Sequence, residues 1–248
     1  MFDHFPHPIL LAHRGDNVHA PENTLPAFSQ AIQKGADGIE LDAKLTADDH
    51  IIVIHDETVN RTTDGKGRVS SFTFEAIRKL DAGAWFDSKF TGIKIPLLEE
   101  VFETVGKDKL INIELTNYFT PRDALVKKVC ELIKRHNNAG QIIFSSFKPK
   151  SLADAALVIP EIPRGLLASP GWIGLWARSF GFMFGDYQAL HPSISNASRE
   201  QFQRAHRLKR RVIVWTANLP EDVRRLRDWD ADGIITDDPG AAVKALGR

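Results

Sequence analysis

Short apolar runs alternate with longer amphipathic stretches along this chain. Runs of strand character fall at 9–12, 38–42, 51–54, 110–115, 141–145, 164–168, 187–190, 211–215 and 233–236. Between most of them, apolar residues recur at helical spacing, as Leu125, Val126, Val129, Cys130 and Ile133 do within 121–136. Pro121 suits the first turn of that helix. Another helix is expected from Asn23–Thr24, with Pro26 in its first turn, to just before Gly35. Strand–helix alternation of this kind predicts parallel strands and an α/β fold.

One connection breaks the rule. Only residues 43–50 separate 38–42 from 51–54, and they include the turn-like Ala47-Asp48-Asp49. A parallel crossover needs about a dozen residues or more. The 51–54 run is therefore expected to return antiparallel, as a hairpin that brings His55 back toward the preceding strand. Residues 56–96, rich in Thr, Gly, Ser and Asp with one short helical pattern at 73–80, read as an insertion over one rim. The whole chain, 1–248, is then one barrel domain of ordinary size for its class.

Composition narrows the function classes. Of 248 residues, 43% are hydrophobic and 26% charged, which excludes a disordered chain. Lys+Arg and Asp+Glu both number 32, so no overall basic footprint for nucleic acid exists. Cys130 is the only cysteine; it has no disulfide partner and sits on the apolar face of its helix, as a core residue. The longest uncharged, mostly apolar stretch, Gly165–Ala177, is shorter than the ~20 residues of a membrane-spanning helix. The N-terminus shows no basic region followed by an apolar core. These features give the expectation of a cytoplasmic protein without a transmembrane segment.

The candidate chemistry sits at strand ends. In Gly38-Ile39-Glu40-Leu41-Asp42, Ile39 and Leu41 share one face while Glu40 and Asp42 share the other. Two carboxylates placed side by side in a buried strand repel unless a cation lies between them. A hard divalent ion such as Ca²⁺ or Mg²⁺ answers this, since both prefer oxygen ligands. Asn112-Ile113-Glu114-Leu115 repeats the alternation and offers Glu114 as a third carboxylate. His13, Arg14 and His55 follow further strands. Barrel active sites gather at the carboxyl ends of strands, so these residues are expected at one mouth. Two imidazoles can divide proton removal and proton donation. A guanidinium fork matches phosphate oxygens. Together with a metal they suggest displacement at a phosphodiester.

The ordered motifs resemble the glycerophosphodiester phosphodiesterase family. They are His13-Arg14-Gly15, Pro21-Glu22-Asn23-Thr24, Gly38-Ile39-Glu40-Leu41-Asp42, His55-Asp56 and Arg61-Thr62-Thr63-Asp64-Gly65. Asn112-Ile113-Glu114, Ser145-Ser146-Phe147, His191-Pro192, Trp215-Thr216-Ala217-Asn218 and Asp232-Gly233-Ile234-Ile235-Thr236-Asp237 follow in order, so the resemblance runs from about residue 10 to about 240. It implies a distorted TIM (β/α)8 barrel with a small insertion, 56–96, after the second-strand hairpin. It implies Ca²⁺ or Mg²⁺ on Glu40, Asp42 and Glu114, His13 and His55 as the acid–base pair, and Arg14 on the phosphate. The implied small-molecule substrate is a glycerophosphodiester, cleaved to glycerol 3-phosphate and an alcohol.

One position departs from the family pattern. Where the family carries a phosphate-reaching lysine two residues after the metal glutamate, this chain has Thr116, followed by Asn117. A lost charged hydrogen bond is worth about 1.5–3 kcal/mol, roughly one to two orders of magnitude in rate or affinity. Thr116 is assigned to the substrate side in the lysine's place, with Arg61 or Lys148 as candidate replacement cations. Trp215 is assigned to the glycerol, with a barrel-core role as the alternative.

Residues 170–185 concentrate Trp172, Trp176, Phe180, Phe182 and Phe184, either as a lip that touches a leaving group or acyl chain, or as a core-facing helix. The lip reading admits lysophospholipids as substrates, and Thr116 admits a non-catalytic phosphoglycerol-binding barrel. His191 reads as structural. His4, His7, His19, His50, His136 and His206 are placed at the surface, the basic run Arg207–Arg211 on a solvated helix end, and Arg224, Arg225 and Arg227 on a solvated helix face.

Overall fold

A computed structural model describes residues 5–248, and His4 lies outside the described residues. Among the described residues, nine strands form one sheet: β1 (Ile9–His13), β2 (Gly38–Leu45), β3 (Ile51–Val53), β4 (Leu110–Leu115), β5 (Ile142–Ser146), β6 (Arg164–Ala168), β7 (Ala189–Pro192), β8 (Arg211–Val214) and β9 (Gly233–Thr236). β1 pairs in parallel with both β2 and β9, which closes the eight strands other than β3 into a barrel. β3 lies antiparallel on the far end of β2, with Ala43 opposite Val53 and Leu45 opposite Ile51. The short 43–50 connection thus makes the expected hairpin. β2 is long enough to serve the barrel with its first half and carry β3 with its second.

Alternation sorts the side chains into two cores. Outward residues such as Leu10, Ile39, Leu41, Ile113 and Phe144 pack under the helices. Inward residues Ile9, Leu11, Leu110, Ile143, Ile213 and Ile235 fill the barrel's lower interior. Above them the inward positions turn polar. On β2 the inward row is Gly38, Glu40 and Asp42, and on β4 it is Leu110, Asn112 and Glu114, paired Gly38 to Leu110, Glu40 to Asn112 and Asp42 to Glu114. A Cβ at Gly38 would lie 2.3 Å from the Leu110 carbonyl oxygen, so the strands approach too closely there for any side chain. Gly38→Ala is expected to destabilise the fold by about 1–3 kcal/mol, read as a lowered denaturation midpoint.

Residues 56–96 contribute no barrel strand. They enclose a separate apolar cluster, with Val59, Val69, Ile77, Ala82 and Ile95 packed on Ile52 and Ile54. Several boundaries differ from the sequence expectation by a few residues, and two of the shifts carry a consequence. The 121–136 helix begins only at Leu125, because Thr120 and Asp123 form a turn: the Thr120 hydroxyl donates to Asp123 Oδ2 at 2.7 Å, and Leu125 N donates to Asp123 Oδ1 at 3.1 Å. The 187–190 strand begins at Ala189 and reaches Pro192, which places His191 inside it. No helix among the described residues is long and apolar enough to cross a membrane.

Candidate active site

β1 ends in a tight reversal. Arg14 and Gly15 both take positive φ, 55° and 86°, and a Cβ at Gly15 would fall 2.7 Å from Ala27 backbone and side-chain atoms. This turn leaves His13 at the strand end and folds the Arg14 side chain over the carboxylate row. The Arg14 Nη1 donates to Glu22 Oε1 at 2.9 Å, and its Nε lies 3.3 Å from Asp42 Oδ2. Asn23 adds a hydrogen bond to Asp42 Oδ2 at 2.9 Å.

Glu40, Asp42 and Glu114 converge so that one oxygen from each lies within 4.8 Å of the others. Burial and the neighbouring Asp42 push Glu114 up to about 8, and the same two causes raise Glu40 well above the usual carboxylate range. Asp42 stays below that range, because Arg14, His55, Asn23 and His13 outweigh its own burial. One anion balanced by Arg14, beside two carboxyls that hold protons, is the state expected of this cluster without a cation. A divalent ion would take the protons' place. The donors are all hard oxygens, as Ca²⁺ and Mg²⁺ require. A second acidic group, Asp16, His19 and Asp238, already holds the ammonium of Lys34, 2.6 Å from Asp16 Oδ2.

Each histidine of the mouth is held by a carboxylate. His13 Nδ1 lies 2.6 Å from Asp237 Oδ1. Asp237 also accepts from Asn17 and Asn218, at 2.6 Å each. Despite burial, His13 and these amides hold it down at about 2. His55 Nδ1 lies 2.7 Å from Asp56 Oδ1. Arg61 clamps Asp56 from the other side, Nε to Oδ2 at 2.8 Å, and keeps it far below the carboxylate range. An ionised carboxylate only accepts, so Nδ1 carries the proton in both rings and Nε2 is left for chemistry. Arg61 also forks onto Glu22, at 2.6 and 2.9 Å. One charge chain, Arg14–Glu22–Arg61–Asp56–His55, therefore ties the insertion to the barrel.

A cavity of about 180 Å³ opens between these groups, lined by His13, Arg14, Glu40, His55, Asn112 and Glu114 on one side. Phe147, Leu167, Trp215 and Ile235 line the other. Phe147 meets Trp215 edge to face at 5.7 Å, and the Trp215 indole N–H donates to the His191 carbonyl at 2.7 Å. A larger concavity of about 590 Å³ lies elsewhere, lined by Asp49, His50, Lys128 and Arg135, and holds none of this chemistry.

Thr116 is not among the lining residues. It is 2% exposed, its hydroxyl donates to the Ala43 carbonyl at 2.7 Å, and it accepts from Lys44 Nζ at 3.1 Å. Its assignment to the substrate is corrected on that ground: the hydroxyl is spent on backbone and ammonium. Neither expected replacement cation reaches the mouth lining, since Arg61 is clamped as above and Lys148 donates to the carbonyls of Asn117 and Tyr118. Lys44, which the sequence reading did not single out, brings a buried ammonium to this corner. Two further partners were also missed. Asp237 supports His13, and the Tyr118 hydroxyl donates to Glu114 Oε1 at 2.7 Å.

His191 is fully buried, with no hydrogen-bond partner at either ring nitrogen, and burial pushes it down to about 3. Its ring lies over Gly165, where a Cβ would fall 2.2 Å from Nε2. His7, His19 and His50 are near half-exposed at the surface. Arg210 is not solvated as expected: it donates to the carbonyls of Phe182 and Gly185.

Residues 13–241 match the Glycerophosphoryl diester phosphodiesterase family. A glycerophosphodiester phosphodiesterase of Caldanaerobacter subterraneus subsp. tengcongensis is 43% identical over 239 residues, covering 96% of this chain and 97% of its own. The fold superposes on an Oleispira antarctica phosphodiesterase in complex with the product sn-glycerol-3-phosphate, with TM-score 0.87, 26% identity and 97% of each chain covered. A glycerophosphodiester phosphodiesterase of Agrobacterium tumefaciens gives TM-score 0.82 at 28% identity, over 95% of this chain and 98% of that one. The motif order, the barrel and these likenesses agree, and the chain belongs to the glycerophosphoryl diester phosphodiesterase family.

Proposed function

We propose that this chain hydrolyses glycerophosphodiesters to glycerol 3-phosphate and an alcohol, with a divalent cation on Glu40, Asp42 and Glu114. The observation that carries this reading is the mouth itself: two histidines, each oriented by a carboxylate, face a buried three-carboxylate cluster beside Arg14. Binding alone has no use for two oriented acid–base groups, which weighs against a non-catalytic barrel.

The 2-hydroxyl of the glycerol is tethered next to phosphorus, so its attack gains from proximity. Nε2 of one histidine takes the hydroxyl proton as the new P–O bond forms. Nε2 of the other gives a proton to the alcohol oxygen as its bond to phosphorus breaks. The product of this step is a cyclic phosphate. Water then opens it at the 2-oxygen with the two histidines in exchanged roles, which leaves the phosphate on the 3-oxygen. Asp237 and Asp56 stabilise whichever ring is protonated. When bound, the cation supplies positive charge to the phosphate oxygens and acidifies the neighbouring hydroxyl. Arg14, already committed to Glu22 and Asp42, presents its charge at the floor of the mouth.

A lysophospholipid version of the same reaction is favoured by one observation, the apolar half of the mouth formed by Phe147, Leu167 and Trp215. Hydrolysis of acylated but not deacylated substrate would select it. The mechanism is tested with an analogue of glycerophosphocholine that lacks the 2-hydroxyl. Its cleavage is expected to be slower by orders of magnitude, since effective molarities of tethered nucleophiles reach about 10⁵–10⁸ M. Cleavage of the analogue at the normal rate would remove the cyclic route.

A further inference from the structure

Outside the 170–185 stretch, the exposed large apolar side chains among the described residues stand singly along the chain, as such residues do on most proteins. The loop after β6 is different. Trp172, Ile173, Phe180 and Phe184 are 87%, 89%, 66% and 79% exposed, within one stretch of 13 residues. Leu175, Trp176 and Met183 are exposed beside them. Soluble proteins rarely expose a contiguous apolar cluster of this kind unless something docks on it.

The segment is built to hold this display. Arg178 Nη1 and Nη2 donate to the carbonyls of Ser169 and Gly171, at 2.5 and 2.6 Å, and fold the loop back on its own start. Phe182 is buried, with the Arg210 guanidinium 4.9 Å over its ring, and Arg210 also holds the Phe182 and Gly185 carbonyls. Anchored by Phe182, the loop turns Phe180 and Phe184 outward as a stacked pair 6.2 Å apart.

We propose that residues 170–185 form a lip that inserts into a phospholipid surface and seats the barrel mouth on it. Two observations select lipid over a protein partner. First, no carboxylate occurs from 162 to 185, and the only charge among the exposed aromatics is Arg178, so nothing there repels anionic headgroups. Tryptophan and phenylalanine are also the residues that settle at a bilayer interface. Second, the lip continues the apolar half of the mouth. It follows β6, whose penultimate residue Leu167 lines the cavity opposite the carboxylates. An amphiphile with its phosphodiester at the carboxylates would have its apolar end on the lip side.

The inference rests on the phosphodiesterase reading for the identity of that amphiphile, and the two fail separately in one experiment. Wild type and the variants W172S/I173S and F180S/F184S are sedimented with vesicles of phosphatidylcholine and of phosphatidylcholine with phosphatidylglycerol. Glycerophosphocholine hydrolysis is measured on the same samples. Wild type is expected to co-sediment, more strongly with the anionic vesicles, and its tryptophan emission to shift to the blue. Each double variant is expected to lose at least about tenfold in partitioning, with hydrolysis of the water-soluble substrate unchanged. Wild type left in the supernatant with both vesicle types would overturn the proposal, as would variants that co-sediment like wild type. A wild-type dimer by light scattering that the variants convert to monomers would overturn it too, because a second copy would then cover the lip. Vesicle binding without hydrolysis in wild type would leave the lip standing and remove the phosphodiesterase reading.

Discussion

Alanine at His13 is expected to lower kcat on glycerophosphocholine by about 10²–10⁴-fold, the usual worth of one positioned acid–base group. The prediction follows from the hydrogen-bond chain behind the ring. Asn17 and Asn218 hold Asp237, Asp237 holds Nδ1, and Nε2 is the one nitrogen free to exchange a proton with substrate. Removing the imidazole deletes one of the two proton transfers and leaves the carboxylates and Arg14 in place. KM is therefore expected to change far less than kcat. His13 sits at a strand end, on the mouth rather than in either apolar core, so the variant should fold. Asp237→Asn is the companion test: its amide oxygen still accepts but lacks the charge, so a smaller loss with an altered pH profile is expected. A His13→Ala enzyme within threefold of wild type would show that the ring is not a proton carrier.

Glu114→Gln should abolish metal-dependent activity and, in the metal-free protein, raise stability at alkaline pH. Both effects come from one carboxyl. In the folded protein Glu114 releases its proton only near 8, because burial and Asp42 disfavour its charge. Its value in an unfolded chain is about 4.3. Between these two values the folded state binds the proton and the unfolded state does not. Folding is therefore favoured most below the lower value, and the metal-free protein loses stability steadily as pH rises through the window. Above about 8 the buried charge is present in full and the loss levels off. Glutamine carries no charge to release, so that slope should flatten in the variant. In wild type a divalent cation held on the cluster is expected to displace the protons on Glu114 and Glu40. The rise in Tm on adding Ca²⁺ or Mg²⁺ should accordingly grow from pH 5 to pH 8 and largely vanish in Glu114→Gln. An equal metal effect at both pH values would contradict the placement of the cation on these carboxyls.

Much of this architecture was legible because strand geometry is periodic. Alternation alone put Glu40 and Asp42 on one face and gave Glu114 the same side of a later strand. The eight residues of 43–50 were too few for a crossover, and the antiparallel β3 follows from that shortage. What stayed hidden depended on closure. Asp237 reaches His13 from 224 residues away, because β9 pairs with β1 to shut the barrel. Lys44 and Thr116 meet because β2 and β4 are neighbours, though 72 residues apart in sequence. Tyr118 lies just past β4, where no periodicity runs and the turn at Thr120–Asp123 and the Lys148 ammonium fix the chain. Arg210 looked like part of a solvated basic run, yet its partners are backbone carbonyls of a loop that no charge pattern could announce.

The claim on which the rest depends is that the carboxylate cluster and the two histidines together make a metal-dependent phosphodiesterase. It is tested most directly by measuring glycerol 3-phosphate released from glycerophosphocholine and glycerophosphoethanolamine, with Ca²⁺, with Mg²⁺ and with chelator. The account predicts release with at least one cation, its loss on chelation and its return when the cation is restored. Release that persists undiminished in excess chelator, or no release from either substrate with either cation, would contradict it.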